Sequence, residues 1–225
     1  MRRRTRVLQK NLAAKTLAAD FYLTVLHFFD LILLYLRRPN NELAYYNLLF
    51  SVAMAANPKV ILELGTGSGL SSLAFIRTLQ YYRKRGIKQG ILHTCDIDLV
   101  SIQRLRRFAG FDPLVIPHNM PSDELAAKWA QAPIPIDLLY IDADHSHEQS
   151  LADFQQFAPY VVSNGLILMH DTFPLTEEHK QRQYSGDVWK TAQYIKQHLT
   201  TEYEIMTMPY LCGISLLRKK GAKYF

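Results

Sequence analysis

The sequence predicts an α/β fold: a doubly wound, mostly parallel sheet of seven strands with a helical appendage at the N-terminus. Three observations support this. From residue 59 onward, short apolar runs rich in β-branched residues and leucine alternate with longer amphipathic stretches, the pattern of parallel strands joined by right-handed helical crossovers. Ten glycines and ten prolines punctuate the chain at a near-average rate, enough to separate several elements. The motifs rich in Gly, Asp and His all fall just after a strand, where ligands collect in such sheets.

Residues 41–55 (NELAYYNLLFSVAMA) read as a packing helix, leading through Asn57-Pro58 into the first strand, 59–64 (KVILEL). A helix follows over 70–83. The second strand, 90–96 (GILHTCD), precedes a helix over 99–108, and a short third strand over 114–117 precedes one over 123–130. Residues 137–142 (DLLYID) form the fourth strand, with a helix over 147–157. The fifth, 166–170 (LILMH), opens from an Asn164-Gly165 turn. A polar loop over 172–186, placed as a substrate lid, leads to a helix over 187–199, and strands over 203–208 and 213–218 close the chain.

A chain of 225 residues with 48% hydrophobic and 20% charged residues is neither collagenous, disordered nor a disulfide miniprotein. Its two cysteines, Cys95 and Cys212, lie far apart in apolar runs. They suit buried thiols of a reducing cytoplasm. The net charge of +6 resides entirely in residues 1–38, and the body is neutral. Nucleic acid is therefore not an expected partner, since it would favour a basic face on the domain itself.

Within that basic segment, residues 21–36 (FYLTVLHFFDLILLYL) form a helical pattern stopped by Arg37, Arg38 and Pro39. The stretch is too short and too interrupted by His27 and Asp30 to span a bilayer, and no cleavage site follows. Asp20, Thr24, His27 and Asp30 recur at helical steps as one polar stripe. Two readings stay open: a helix buried against the domain or a second copy in a homodimer, and an in-plane contact with an anionic membrane.

Glu63-Leu64-Gly65-Thr66-Gly67-Ser68-Gly69 joins a strand to a helix. Glycines there accept positive φ and let backbone approach a ligand, and the N–H groups of Leu70 and Ser71 can meet an anion. Leu70 stands where a dinucleotide turn needs its third glycine, which counts against a nicotinamide-dependent oxidoreductase. Asp96 ends the second strand, where a carboxylate can accept from ribose hydroxyls; Asp98 is its competitor.

The segments ELGTGSG, CDID, IDLLYIDADHSHE and NGLILMHDT resemble the successive motifs of class I S-adenosylmethionine-dependent methyltransferases. They are most similar to the small-molecule O-methyltransferases with IDGDHSYE and HDT signatures (methyltransferase domain 24). The resemblance spans residues 59–218 and divides the chain into a basic helical segment, 1–57, and a Rossmann-like domain, 58–225. It implies S-adenosylmethionine as cofactor and methyl transfer to a hydroxyl of a small molecule or sugar. Carried over, it sets Gly65, Gly67 and Gly69 along the methionine end of the cofactor, with Thr66 among them and Glu63 supporting the loop. Ser71 matches the position that holds the cofactor carboxylate, Asp96 takes the ribose, Ser122 meets adenine, and Asp142 borders the cofactor.

Asp142 and Asp171 end neighbouring strands, and two carboxylates there suit a hard divalent cation such as Mg²⁺. The metal-dependent O-methyltransferases that the chain resembles add an amide at the position of Thr172, a weaker ligand. That set, Asp142, Asp171 and Thr172, stands beside a metal-free alternative of cofactor and loop contacts. In the same family a lysine base occupies the place held here by His145. Imidazole accepts a proton near neutrality, so His145 is the expected base with Asp142 beside it, and His147 and His170 are alternatives. His93, inside a strand, reads as a packed residue. A non-catalytic cofactor-binding module tethered through residues 1–38 is the remaining alternative.

Overall fold

The computed structural model describes residues 41–87, 90–109, 113–210 and 212–220, together with Val25. The polar stripe at Asp20, Thr24, His27 and Asp30 and the surface role of the basic segment lie outside the described residues. Among the described residues no helix is long and apolar enough to cross a membrane.

In chain order the elements are α1 (Asn41–Ala56), β1 (Val60–Leu64), α2 (Leu70–Lys84), β2 (Ile91–Asp96), α3 (Leu99–Ala109), β3 (Val115–Asn119), α4 (Ser122–Gln131), β4 (Ile136–Ile141), α5 (His147–Phe157), β5 (Val161–His170), α6 (Trp189–His198), β6 (Tyr203–Met208) and β7 (Ile214–Lys219). Short 3-10 turns lie at Ala158–Tyr160 and Glu178–Lys180. The sheet order is β3-β2-β1-β4-β5-β7-β6. Strands β1 to β5 pair in parallel, while β7 runs antiparallel to both β5 and β6. Strand order reverses between β1 and β4, which opens a crevice above their carboxyl ends.

Alternation along each strand builds two core layers. Leu62, Leu64, Leu139, Ile141, Ile167 and Met169 face the layer of Trp129, Phe154 and Phe157. Ile61, Leu138, Tyr140 and Leu168 face Tyr46, Leu49, Phe75 and Ile76. Each such side chain contributes about 1.5–3 kcal/mol of hydrophobic stabilisation. Helix α1 belongs to this second layer through Tyr45, Tyr46, Leu49 and Ala53. The Tyr82 hydroxyl ties α1 to α2 by donating to the Met54 carbonyl at 2.6 Å.

Three element limits differ from expectation for local reasons. β5 begins at Val161, not at residue 166. Its pairing with β4 jumps from Ile136↔Val161 to Leu138↔Leu166, so Asn164-Gly165 forms part of a bulge within the strand. A Cβ on Gly165 would stand 2.7 Å from Val161 Cγ1 and 2.9 Å from the Asp137 carbonyl oxygen. β3 extends to Asn119 because Cys95↔His118 and Asp96↔Asn119 continue the ladder. His118 is thus a strand residue stacked on His93, not part of the following loop. α6 starts only at Trp189, because Asp187 turns its carboxylate back to accept from the His147 N–H at 2.6 Å.

Candidate active site

The end of β1 is clamped by its neighbours. The Gly65 N–H donates to the Cys95 carbonyl and the Asp142 N–H to the Leu64 carbonyl, both at 2.8 Å. Gly65 has φ +95°, and a Cβ there would lie 2.0 Å from the Asp142 carbonyl oxygen. Only glycine fits that crossing. At Gly67 (φ +49°) the space is open, with nothing within 4 Å of an added Cβ. The Asp96 carboxylate holds this turn, accepting from the N–H groups of Thr66 (3.1 Å) and Gly67 (2.8 Å), and from Asp98 on its other oxygen.

Beneath the turn, Glu63 is fully buried. It accepts from Ser72 Oγ and Thr94 Oγ1, each at 2.5 Å, and Thr94 pairs with Thr66 Oγ1 at 2.7 Å. Burial pushes Glu63 up to about 7, against the pull of the Ser71, Ser72 and Thr94 hydroxyls.

Two cavities meet at Gly65. One, about 320 Å³, is bordered by Asp96, Met120, Ser122, Asp144 and Gln149. The other, about 390 Å³, is bordered by Tyr45, Ser71, Asp142, His145, His170 and Tyr184 among others.

Four titratable groups gather in the second cavity. His170 Nδ1 lies 3.2 Å from Asp142 Oδ1 and 3.5 Å from Asp171 Oδ1, and His145 Nε2 lies 3.3 Å from Asp171 Oδ2. Burial, with the Asp142 charge adding to it, pushes Asp171 up to about 6, while His170 and His145 draw it down. Asp171 also holds φ +60°, a backbone state uncommon for residues other than glycine, seen at strained functional positions. The Tyr140 hydroxyl donates to Asp142 Oδ2 at 2.7 Å, and the Tyr45 hydroxyl pairs with that of Tyr140. Asp142, His170 and Asp171 offer three ligand atoms within 4.8 Å of one another.

Comparison with known proteins agrees with this geometry. Residues 62–172 match the family described as methyltransferase domain. The O-methyltransferase ankF of Aspergillus thermomutatus is 25% identical over 179 residues, covering 72% of this chain and 71% of that protein. The chain carries an S-adenosylmethionine-dependent methyltransferase domain with the class I fold.

Solved structures share the fold of this methyltransferase. The S-adenosylhomocysteine-bound methyltransferase PaMTH1 of Podospora anserina aligns with a TM-score of 0.60 and 19% identity, over 78% of each chain. The O-methyltransferase TomG of Streptomyces achromogenes, involved in tomaymycin synthesis and solved with S-adenosylmethionine, aligns with a TM-score of 0.60 and 16% identity, over 79% of this chain and 80% of that one.

In the methyltransferase, Gly65, Thr66, Gly67, Ser71 and Asp142 border the second cavity, and Asp96 and Ser122 the first. Gly69 caps α2 at φ +82°. Glu63 borders neither and acts through Thr94 and Ser72. Thr172 stands apart from the cluster: it is buried, and its Oγ1 accepts from Ser215 Oγ at 2.9 Å. His147 is held by Thr191 Oγ1 at 2.8 Å and borders neither cavity. The loop over 172–186 closes on His145: Arg182 pairs with Asp144 at 3.1 Å, and a Cβ on Gly186 would overlap the His145 carbonyl. Sequence reasoning missed Tyr45, Tyr140 and Gln149. Tyr140 left a trace, a hydroxyl two residues before Asp142 in a strand whose other polar member is Asp137; Tyr45 left none.

Proposed function

We propose that this methyltransferase transfers the S-adenosylmethionine methyl group to a hydroxyl of a small molecule held in the second cavity, with His145 as base. The observation that carries the reading is the His145–Asp171 pair at the wall of a cavity that starts at the glycine turn. The name of the Aspergillus relative, an O-methyltransferase, supports the same chemistry.

The donor fits the crevice: open space at Gly67, ligand-sized cavities on both sides of Gly65, and an acidic side chain at the end of β2. Bound there, it supplies a methyl group already activated by a sulfonium. The protein's work is to orient the acceptor and take its proton. His145 Nδ1 lies 3.3 Å from the Arg182 carbonyl oxygen, which can only accept, so the ring proton is assigned to Nδ1. Nε2 faces Asp171 Oδ2 at 3.3 Å; an acceptor hydroxyl entering beside that pair gives its proton to Nε2, and the Asp171 carboxylate stabilises the imidazolium that results.

The donor set also fits a divalent cation. Two carboxylates and one imidazole converge, with ligand atoms within 4.8 Å of one another. Asp142, Asp171 and His170 would hold the ion, with His170 in the part the sequence suggested for Thr172. A nitrogen ligand favours Mn²⁺ or Zn²⁺ over Mg²⁺. Such an ion would lower the pKa of the acceptor hydroxyl.

Calorimetry with S-adenosylhomocysteine, and tritiated-methyl transfer to an extract with and without EDTA, test the reading. Binding by the wild type and labelling of a hydroxyl-bearing product are expected; absence of binding by the folded protein defeats it. Two free cysteines, Cys95 and Cys212, suit a reducing compartment, and a cytoplasmic location follows. Flotation of the full chain with anionic vesicles tests whether residues 1–38 also draw it to lipid.

A further inference from the structure

Gln149 stands in the first turn of α5, where its amide meets three oxygens. Nε2 lies 3.1 Å from Ser122 Oγ, 3.2 Å from Asp123 Oδ1 and 3.0 Å from Asp153 Oδ1. An amide nitrogen can only donate and an amide oxygen can only accept. Turning the group over would set Oε1 against two carboxylate oxygens, so the neighbours dictate its orientation. Ser122 Oγ accepts from Gln149 Nε2 and so meets the amide nitrogen, not Oε1. Asp153 itself is fully buried on α5, which anchors the whole arrangement.

This leaves Gln149 Oε1 as the amide atom without a partner among the described residues, on a side chain that borders the first cavity together with Asp96 and Ser122. We infer that Gln149 Oε1 accepts from the exocyclic 6-amino group of the donor's purine and makes the protein selective for 6-aminopurine over 6-oxopurine nucleosides. The inference rests on the proposed reading that the nucleoside fills this cavity. A 6-oxopurine carries a carbonyl oxygen at the same place and would face Oε1 with no hydrogen between them. A polar group left without its partner costs on the order of tenfold to a hundredfold in affinity. Ser122, Asp123 and Asp153 are positioning residues here: they fix which amide atom is presented.

The test is calorimetric titration of S-adenosylhomocysteine and its deaminated counterpart, S-inosylhomocysteine, into wild type, Gln149→Leu and Gln149→Met. Two variants guard against a fold defect in one, and circular dichroism checks each. The wild type is expected to prefer the adenosyl compound at least about tenfold. In the variants the preference should shrink to about threefold or less, through weaker adenosyl binding and inosyl binding that is unchanged or tighter. An undiminished preference in folded variants, or no preference in the wild type, overturns the assignment to Gln149 and leaves the proposed function standing. Binding of neither compound by the wild type overturns the nucleoside reading and this inference together.

Discussion

The glycine-turn end of the crevice is drawn largely from contiguous strand–turn–helix units, whereas the end proposed to react is assembled from distant stretches. The Gly65 N–H donates to the Cys95 carbonyl on the adjacent parallel strand, and the Asp96 carboxylate accepts from the N–H groups of Thr66 and Gly67. Tyr45, Tyr140, Asp142, His145 and His170-Asp171 meet only because α1, β4, β5 and the loop after β4 converge. The first end depends on backbone shape and tolerates little substitution. The second depends on side-chain chemistry, so its members can be replaced with the fold kept.

Gly65→Ala should break that contrast most severely. A Cβ 2.0 Å from the Asp142 carbonyl at φ +95° damages both ends at once. A loss of about 3–5 kcal/mol in urea unfolding is expected, with S-adenosylhomocysteine binding abolished; a stable, binding variant would show that the turn relaxes freely. At the reacting end, His145→Ala should lower methyl transfer about 10²–10⁴-fold. Its S-adenosylhomocysteine affinity and melting temperature should stay near wild type. A parallel loss of binding would mean the two ends are not separable.

Glu63 sharpens the comparison from below the turn. Its folded pKa of about 7 exceeds its ordinary 4.5, so folding takes up a proton. Its contribution is complete below about pH 4.5 and is lost as pH rises through about 7. Glu63→Gln should reduce the decline of stability between pH 5 and 8 by about 2 kcal/mol. The raised Asp153 and Asp171, each about 6, keep a residual slope of the same sign. His93, lowered by burial to about 4, acts oppositely: its contribution is lost as pH falls from 6.5 toward 4. An unchanged slope in Glu63→Gln would place the buried proton elsewhere.

The smallest effect is expected at Asp96, where Asp96→Asn keeps one acceptor for the turn and weakens the proposed contact with ribose. About tenfold weaker S-adenosylhomocysteine binding is expected by calorimetry. No change would assign the ribose contact to another side chain.

Strand–turn–helix order was legible at Glu63–Ser71 because it is written within ten residues: an apolar run, closely spaced glycines, an amphipathic stretch. Asp142 and Asp171 were legible as strand-end carboxylates. Tyr45 was not, since its partner Tyr140 is 95 positions away and a tyrosine in an apolar helix looks like any other core residue. Gln149 carried no signal because its role depends on which oxygens surround its amide. The β5 bulge was hidden because Asn-Gly also suits a tight turn, and only pairing with β4 distinguishes the two.

Local periodicity and the chemistry of individual residues determined the class of fold, the number of strands and which strand ends bear acids, glycines and imidazoles, since those preferences act over a few residues at a time. The tertiary structure decided which of those groups touch. Hydrogen-bond partners, the neutral or charged state of Glu63 and Asp171, and the orientation of the Gln149 amide are set by burial and by neighbours brought in from far along the chain. Such terms come into being only when the strands have taken their places in the sheet.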